Sequence, residues 1–205
     1  MKNYLIILLI ISTKCFSQSA SDRQIIDSII EVDNLPTVIS IQSKGYEKLE
    51  ELVARKSFYN KHFPKNKVNL TNDEMVFVMK EIKKNKNFIF SKEMFPNELL
   101  ISNDTLISYS SNKAKIWRKE YEAIFESKDS VKMKQFRKEK PYPTPFTYVN
   151  FFSRPIYFRD NAFCIIYYAR LCNFHVGMGG CSEVIICRKE NGIWKKFIQI
   201  PIGCY

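Results

Sequence analysis

The chain is short of the side chains on which most catalytic sites rest. It has two histidines, His62 and His175, and six glycines in 205 residues. After the first dozen residues no apolar run is long enough to span a bilayer as a helix. No glycine-rich stretch ends in the Lys-Ser/Thr of a nucleotide-phosphate loop, and no paired Cys-x-x-Cys knuckles mark a zinc finger. Acid is scarce beside base: 32 Lys and Arg against 21 Asp and Glu leave a formal net charge of +11. Such an excess is ordinarily a solvated lysine-rich surface, and it also suits an anionic partner.

What is present argues for a folded globule. Hydrophobic residues make up 45% and aromatics 14% of the chain, too much for disorder. The length suits one domain or two small ones.

The first residues set an address. Lys2 is followed by the apolar run 4–11 and then by Cys15-Phe-Ser17, with small residues at the positions a signal peptidase reads. Residues 1–17 are therefore expected to be a signal peptide cleaved after Ser17. The alternative is a lipoprotein anchored through Cys15, which Lys14 fits poorly. Export makes disulfides the default state of cysteine and argues against nucleic acid as partner. An anionic envelope component or another protein is favoured instead.

The chain is organised around its carboxyl end. Two β-branched, aromatic runs, 163–169 and 183–188, read as buried strands. They flank a loop holding His175, Gly177, Gly179 and Gly180. A third run, 194–200, follows Asn191-Gly192, a pair suited to a type I′ turn. The result is an antiparallel meander. Five cysteines fall in or beside it: Cys164, Cys172, Cys181, Cys187 and Cys204. A register with Cys172 opposite Cys181 also sets Arg170 opposite Glu183. Cys164 opposite Cys187 needs a register two residues away, so one regular ladder cannot satisfy both. The favoured pair is Cys172–Cys181, closing a loop of about ten residues worth roughly 2.7 kcal/mol in the chain-entropy model. Five cysteines leave one unpaired, and spacing does not fix the connectivity.

Before the meander the pattern is mainly helical. Residues 21–31 carry Ile25, Ile26, Ile29 and Ile30 at helical spacing. Residues 37–41 read as a short strand, and 44–59 as a second helix with Tyr46, Leu49, Leu52 and Val53 on one stripe. Thr71-x-x-Glu74 is a capping box opening a third helix with Met75, Val78, Met79 and Ile82 inward. Short strands are expected at 88–90, 99–101 and 106–109, the last two forming a hairpin. Asn112 then caps a helix bearing Trp117, Tyr121, Ile124 and Phe125. Residues 128–140 form a basic, weakly amphipathic segment. Pro141, Pro143 and Pro145 make an extended connector. It divides a mainly helical part, 18–140, from a β-rich part, 141–205. Strands at 146–152 and 156–158 lead into the meander. The expected class is α+β, with N-terminal helices packed on one face of a C-terminal antiparallel sheet.

Phe152-Ser-Arg-Pro-Ile-Tyr-Phe158, the strand running into the glycine loop, and Asn191-Gly-Ile-Trp194 together resemble the C-terminal third of small uncharacterised exported bacterial proteins. That resemblance implies export and a twisted sheet, and no activity. The Asn-Gly-x-Trp hairpin is also similar to the closing strands of NTF2-like domains, which implies helices before a curved sheet around a pocket.

Three chemistries compete for the glycine loop. Cys172 could be a thiolate activated by His175, which needs a reduced thiol. Cys172, His175, Cys181 and Cys204 could bind zinc, although the spacing is unusual. A bridged loop with a polar His175 is the simplest, so no catalytic residue, metal or cofactor is assigned. The glycines could cradle an anion through backbone N–H groups, but no helix follows them. His62 sits in a charged turn. Glu47, Glu50, Glu51, Glu120 and Glu122 read as solvated helix positions, and Asn69-Leu-Thr71 and Asn103-Asp-Thr105 match the short glycosylation sequon. The expectation is an exported, disulfide-stabilised binding or scaffolding protein. The alternative is a hydrolase-like enzyme whose acid–base pair meets only in the fold.

Overall fold

The computed structural model describes residues 20–30, 37–105, 112–140, 148–172 and 179–204. The expected signal peptide, Cys15, the strand 106–109, the proline connector, His175 and Gly177 lie outside these residues.

Three long strands form the centre: β7 (Phe163–Cys172), β8 (Gly179–Glu190) and β9 (Ile193–Cys204). They pair antiparallel in sequence, as the apolar runs predicted. The β8–β9 turn has both central residues at positive φ, Asn191 at 51° and Gly192 at 83°, as a type I′ turn requires. Two further strands from the same part of the chain, β5 (Tyr148–Phe152) and β6 (Ile156–Phe158), both pair with β7. Between β6 and β7 the chain reverses through Arg159, Asp160 and Asn161, all at positive φ.

The helical part also supplies strands to this sheet. β1 (Val38–Ser40) lies between β4 (Leu99–Ile101) and β5 and is parallel to both. The sheet is therefore mixed and seven-stranded, in the order β4-β1-β5-β7-β8-β9 with β6 beside β7. The class is α+β, as expected. β4 pairs with β1, and residues 103–105 beyond it are helical; the other half of the expected hairpin, 106–109, lies outside the described residues. The strand expected at 88–90 is reduced to one bridge, Gln42 with Ile89.

Helices cover both faces of the sheet, not one. On one face α1 (residues 20–29) buries Ile25, Ile26 and Ile29 against Ile39, Phe152, Cys164, Ile166, Ile185 and Cys187. On the other, α2 (Tyr46–Val53) and α3 (Asn72–Asn85) pack Leu49, Val53, Val78 and Ile82 on Val38, Ile165, Tyr167, Val184 and Ile186. Double coverage explains why β7 and β8 read as continuous apolar runs and not as an alternation.

Local chemistry sets the helix limits. Thr71 caps α3 with the complete reciprocal box to Glu74. Gly45 precedes α2 at φ 83°, and a Cβ there would stand 2.1 Å from the Tyr167 ring. The second helix is shorter than expected. It ends at Val53, and residues 57–59 leave as β2 (Ser57–Tyr59) to pair with β3 (Lys67–Asn69). Phe58 and Val68 are buried by that hairpin, so the apolar signal that lengthened the expected helix belongs to a strand. Beyond the sheet, α4 (Asn112–Glu126) and α5 (Ser130–Glu139) enclose a separate cluster of Trp117, Tyr121 and Phe136. Asp129 caps α5, accepting from the N–H groups of Val131 and Lys132. Among the described residues no helix is long and apolar enough to cross a membrane.

Candidate functional site

The segment joining β5 to β6 holds a buried polar network. Asp22, in the first turns of α1, has no solvent exposure. Its carboxylate accepts a hydrogen bond from the Tyr157 hydroxyl at 2.5 Å and another from Arg154 Nε at 3.1 Å. Burial raises the Asp22 pKa above the usual carboxylate value, and the bonds from Tyr157 and Arg154 only partly offset it. Burial and the adjacent Asp22 carboxylate also push the Tyr157 phenol far up, so it remains a proton-bearing donor. The Arg154 backbone N–H donates to Ser43 Oγ and Tyr46 Oη, each at 3.1 Å. The guanidinium lies over the Phe88 ring, 4.5 Å from its centroid. One residue thus ties together α1, the approach to α2 and the sheet.

Beside this network runs a cleft of ≈ 490 Å³. Phe77, Glu81, Lys84 and Asn85 of α3 form one wall. Arg154, Pro155, Ile156 and Tyr157 form the floor, with Ser21, Asn161, Lys189 and Trp194 closing it. Tyr157 and Trp194 are in ring contact, with centroids 5.5 Å apart, and Lys189 Nζ lies 5.7 Å from the Trp194 ring. Three cations, Lys84, Arg154 and Lys189, line the cleft against one acid, Glu81. Lys84 reaches Glu81 only at 3.5 Å, and the terminal nitrogens of Arg154 have no hydrogen-bonding partner among the described residues. Trp194 is 3% exposed, and its indole N–H is one of two buried side-chain polar atoms without a partner among the described residues. A cleft of mixed aromatic and cationic lining suits a ligand that carries both a flat surface and negative charge.

No protein-family profile matches the chain, and neither the curated proteins nor the solved structures contain a match to it. The geometry of the cleft therefore carries the functional argument.

The sites expected from sequence are distributed differently. Gly179 and Gly180 are strand residues opening β8, not part of a loop. A Cβ on Gly180 would meet the Arg170 carbonyl oxygen at 2.7 Å, so this glycine serves the close approach of two strands. The hairpin register is the one that sets Cys164 opposite Cys187. Cys172 stands opposite Gly179, Cys181 opposite Arg170, and Glu183 opposite Tyr168. The favoured face-to-face Cys172–Cys181 register is thus replaced by one offset by two residues. It is selected because Ile165 with Ile186, and Ile166 with Ile185, then meet on the two buried faces. Arg170 stacks its guanidinium 3.8 Å from the Tyr148 ring centroid.

Cys181 instead faces Cys204 across β8 and β9, and the two side chains come within 2.5 Å. No disulfide joins Cys164, Cys181, Cys187 or Cys204 in this structure. Among the described residues no group of His, Cys, Asp and Glu is arranged to hold a metal ion. His62 is exposed and bonds Asn60 through its backbone N–H. Glu47, Glu51 and Glu122 are exposed, and Glu50 and Glu120 half-exposed.

The sequence reading missed the cleft. A partial signal is present: Arg154-Pro155 falls between two apolar strand runs, where a charged side chain needs a partner of opposite sign.

Proposed function

We propose that this protein is an exported binding module that holds an anionic ligand in the cleft between α3 and β6, with an envelope component as the class of partner. The excess of cations in the cleft carries this reading: Lys84, Arg154 and Lys189 line it against Glu81. Half-buried Tyr157, backed by the buried Trp194 ring, adds an aromatic contact for the ligand at the floor of the cleft. Export is supported by the pattern of residues 1–17, with a basic start, an apolar core and small residues before position 18. The resemblance of the last third to exported bacterial proteins points the same way. Binding is preferred to hydrolysis because Glu81 is the sole acidic residue among those lining the cleft, and Asp22 beneath it is committed to Tyr157 and Arg154. Two convergent carboxylates, as a glycosidase requires, are not among the lining residues.

The test is a calorimetric titration of the purified chain with a galacturonate oligomer, with a neutral glucose oligomer of equal length as control. Lys84→Gln and Lys189→Gln remove charge without touching the Asp22 network. Binding of the acidic oligomer only, weakened several-fold in the double variant and by added salt, supports the proposal. Equal binding of both oligomers, or an unaffected double variant, overturns it.

A further inference from the structure

The meander carries two cysteine pairs that face each other across neighbouring strands, and their surroundings differ. Cys164 on β7 and Cys187 on β8 are directly opposite and fully buried beneath α1. Burial, reinforced by a hydrogen bond with Cys187, pushes the Cys164 thiol well above its ordinary pKa. Thiolate is the species that attacks a disulfide, so Cys164 is held in the unreactive form, and burial closes both thiols of this pair to an oxidant. Cys181 on β8 and Cys204 on β9 are also directly opposite, but both are exposed. They approach within 2.5 Å, close to the ~2.05 Å of an S–S bond.

The ladder near this second pair is irregular. Ser182 pairs with Gly203, but Glu183 pairs with Pro201, so Ile202 is extra and β9 bulges. Pro201 has no N–H to donate to the ladder. The last residues of β9 thus sit at one of the two places where the β8–β9 ladder loses its regular pairing, the other being between Ile186 and Cys187.

We infer that Cys181 and Cys204 form a cross-strand disulfide when the chain meets an oxidant, while Cys164 and Cys187 remain a dithiol. The covalent staple then fastens the end of β9 to β8 and leaves residues 173–178 outside the closed ring. With glutathione disulfide as oxidant, the Cys181 thiolate attacks one of its sulfurs, forming a mixed disulfide and releasing one glutathione thiolate. The Cys204 thiolate then attacks the Cys181 sulfur and releases the second. Two protein thiols lose two electrons and two protons, and one glutathione disulfide becomes two glutathione thiols.

The experiment uses the full chain, reduced under native conditions and equilibrated with reduced and oxidised glutathione. Thiols are trapped with iodoacetamide, and the protein is digested and mapped by mass without reduction. The expected result is a linked peptide pair joining Cys181 to Cys204, with Cys164 and Cys187 alkylated only after unfolding. In Cys204→Ser the link disappears and Cys181 is alkylated in the native protein. A Cys172–Cys181 or Cys164–Cys187 link in the wild type overturns the inference. So does native alkylation of both Cys181 and Cys204 after oxidation, or continued protection of Cys181 in Cys204→Ser.

Discussion

The Tyr157 hydroxyl donates to the Asp22 carboxylate across 2.5 Å, joining the first helix of the sheet's cover to a strand 135 residues later. Asp22 is fully buried, and burial outweighs its two partners, so its pKa lies above that of the unfolded chain. The native state then binds more protons than the unfolded state, and the contribution of Asp22 to stability grows as pH falls through its folded pKa. Glu74 behaves in the opposite sense. The hydrogen-bonded Arg159 guanidinium holds its pKa below the ordinary value, so its contribution is complete above that value and is lost as pH falls through the folded one. Thermal melts of the wild type, Asp22→Asn and Glu74→Gln between pH 3 and 8 check both signs. The advantage of wild type over Asp22→Asn should grow on acidification, and its advantage over Glu74→Gln should shrink.

Gly45 and Gly192 share φ 83° but not their surroundings. A Cβ at Gly45 would overlap the Tyr167 ring at 2.1 Å, whereas nothing lies within 4 Å of one at Gly192. Gly192→Ala should cost about 1 kcal/mol, the backbone strain alone. Gly45→Ala adds overpacking against a buried ring and should cost roughly 3 kcal/mol or more. Denaturant titrations of the two variants give the comparison directly, and equal costs would show that Tyr167 yields.

Phe136 closes a satellite cluster with Trp117 at 5.4 Å and Tyr121 at 5.9 Å between ring centroids. This cluster is separate from the two cores on the sheet. Phe136→Ala should remove about 3 kcal/mol from α4 and α5. Hydrogen exchange should therefore accelerate in those two helices while amides of β7 and β8 keep their protection.

Much of the architecture was legible because local rules and tertiary packing agree there. The Thr71 capping box, the Asn191-Gly192 turn and the long apolar strands each appear as read. Disagreement arises where a long-range partner decides. Leu99–Ile101 gives no local sign of its partner among the described residues, Val38–Ser40, some 60 residues earlier in the chain. Ser57–Tyr59 reads as the end of the second helix, yet Phe58 pairs with Val68 of the facing strand. The cysteine register turned on which isoleucines met on each face, and period-two spacing alone leaves that choice open. The cleft was hidden for the same reason. Its lining comes from α1, α3, β6 with the segment before it, and the adjoining ends of β8 and β9, which spacing along the chain cannot bring together.

The place of β1 has a consequence for how the chain acquires its shape. This strand is near the amino end, but one of its two neighbours, β5, is drawn from beyond residue 147. The contacts that complete the sheet therefore close very long loops, the slow route to a native state. A polypeptide released before its last sixty or so residues are synthesised keeps α1 and α2 without the surface they cover, and should be captured by chaperones or proteases in place of surviving as a smaller folded unit.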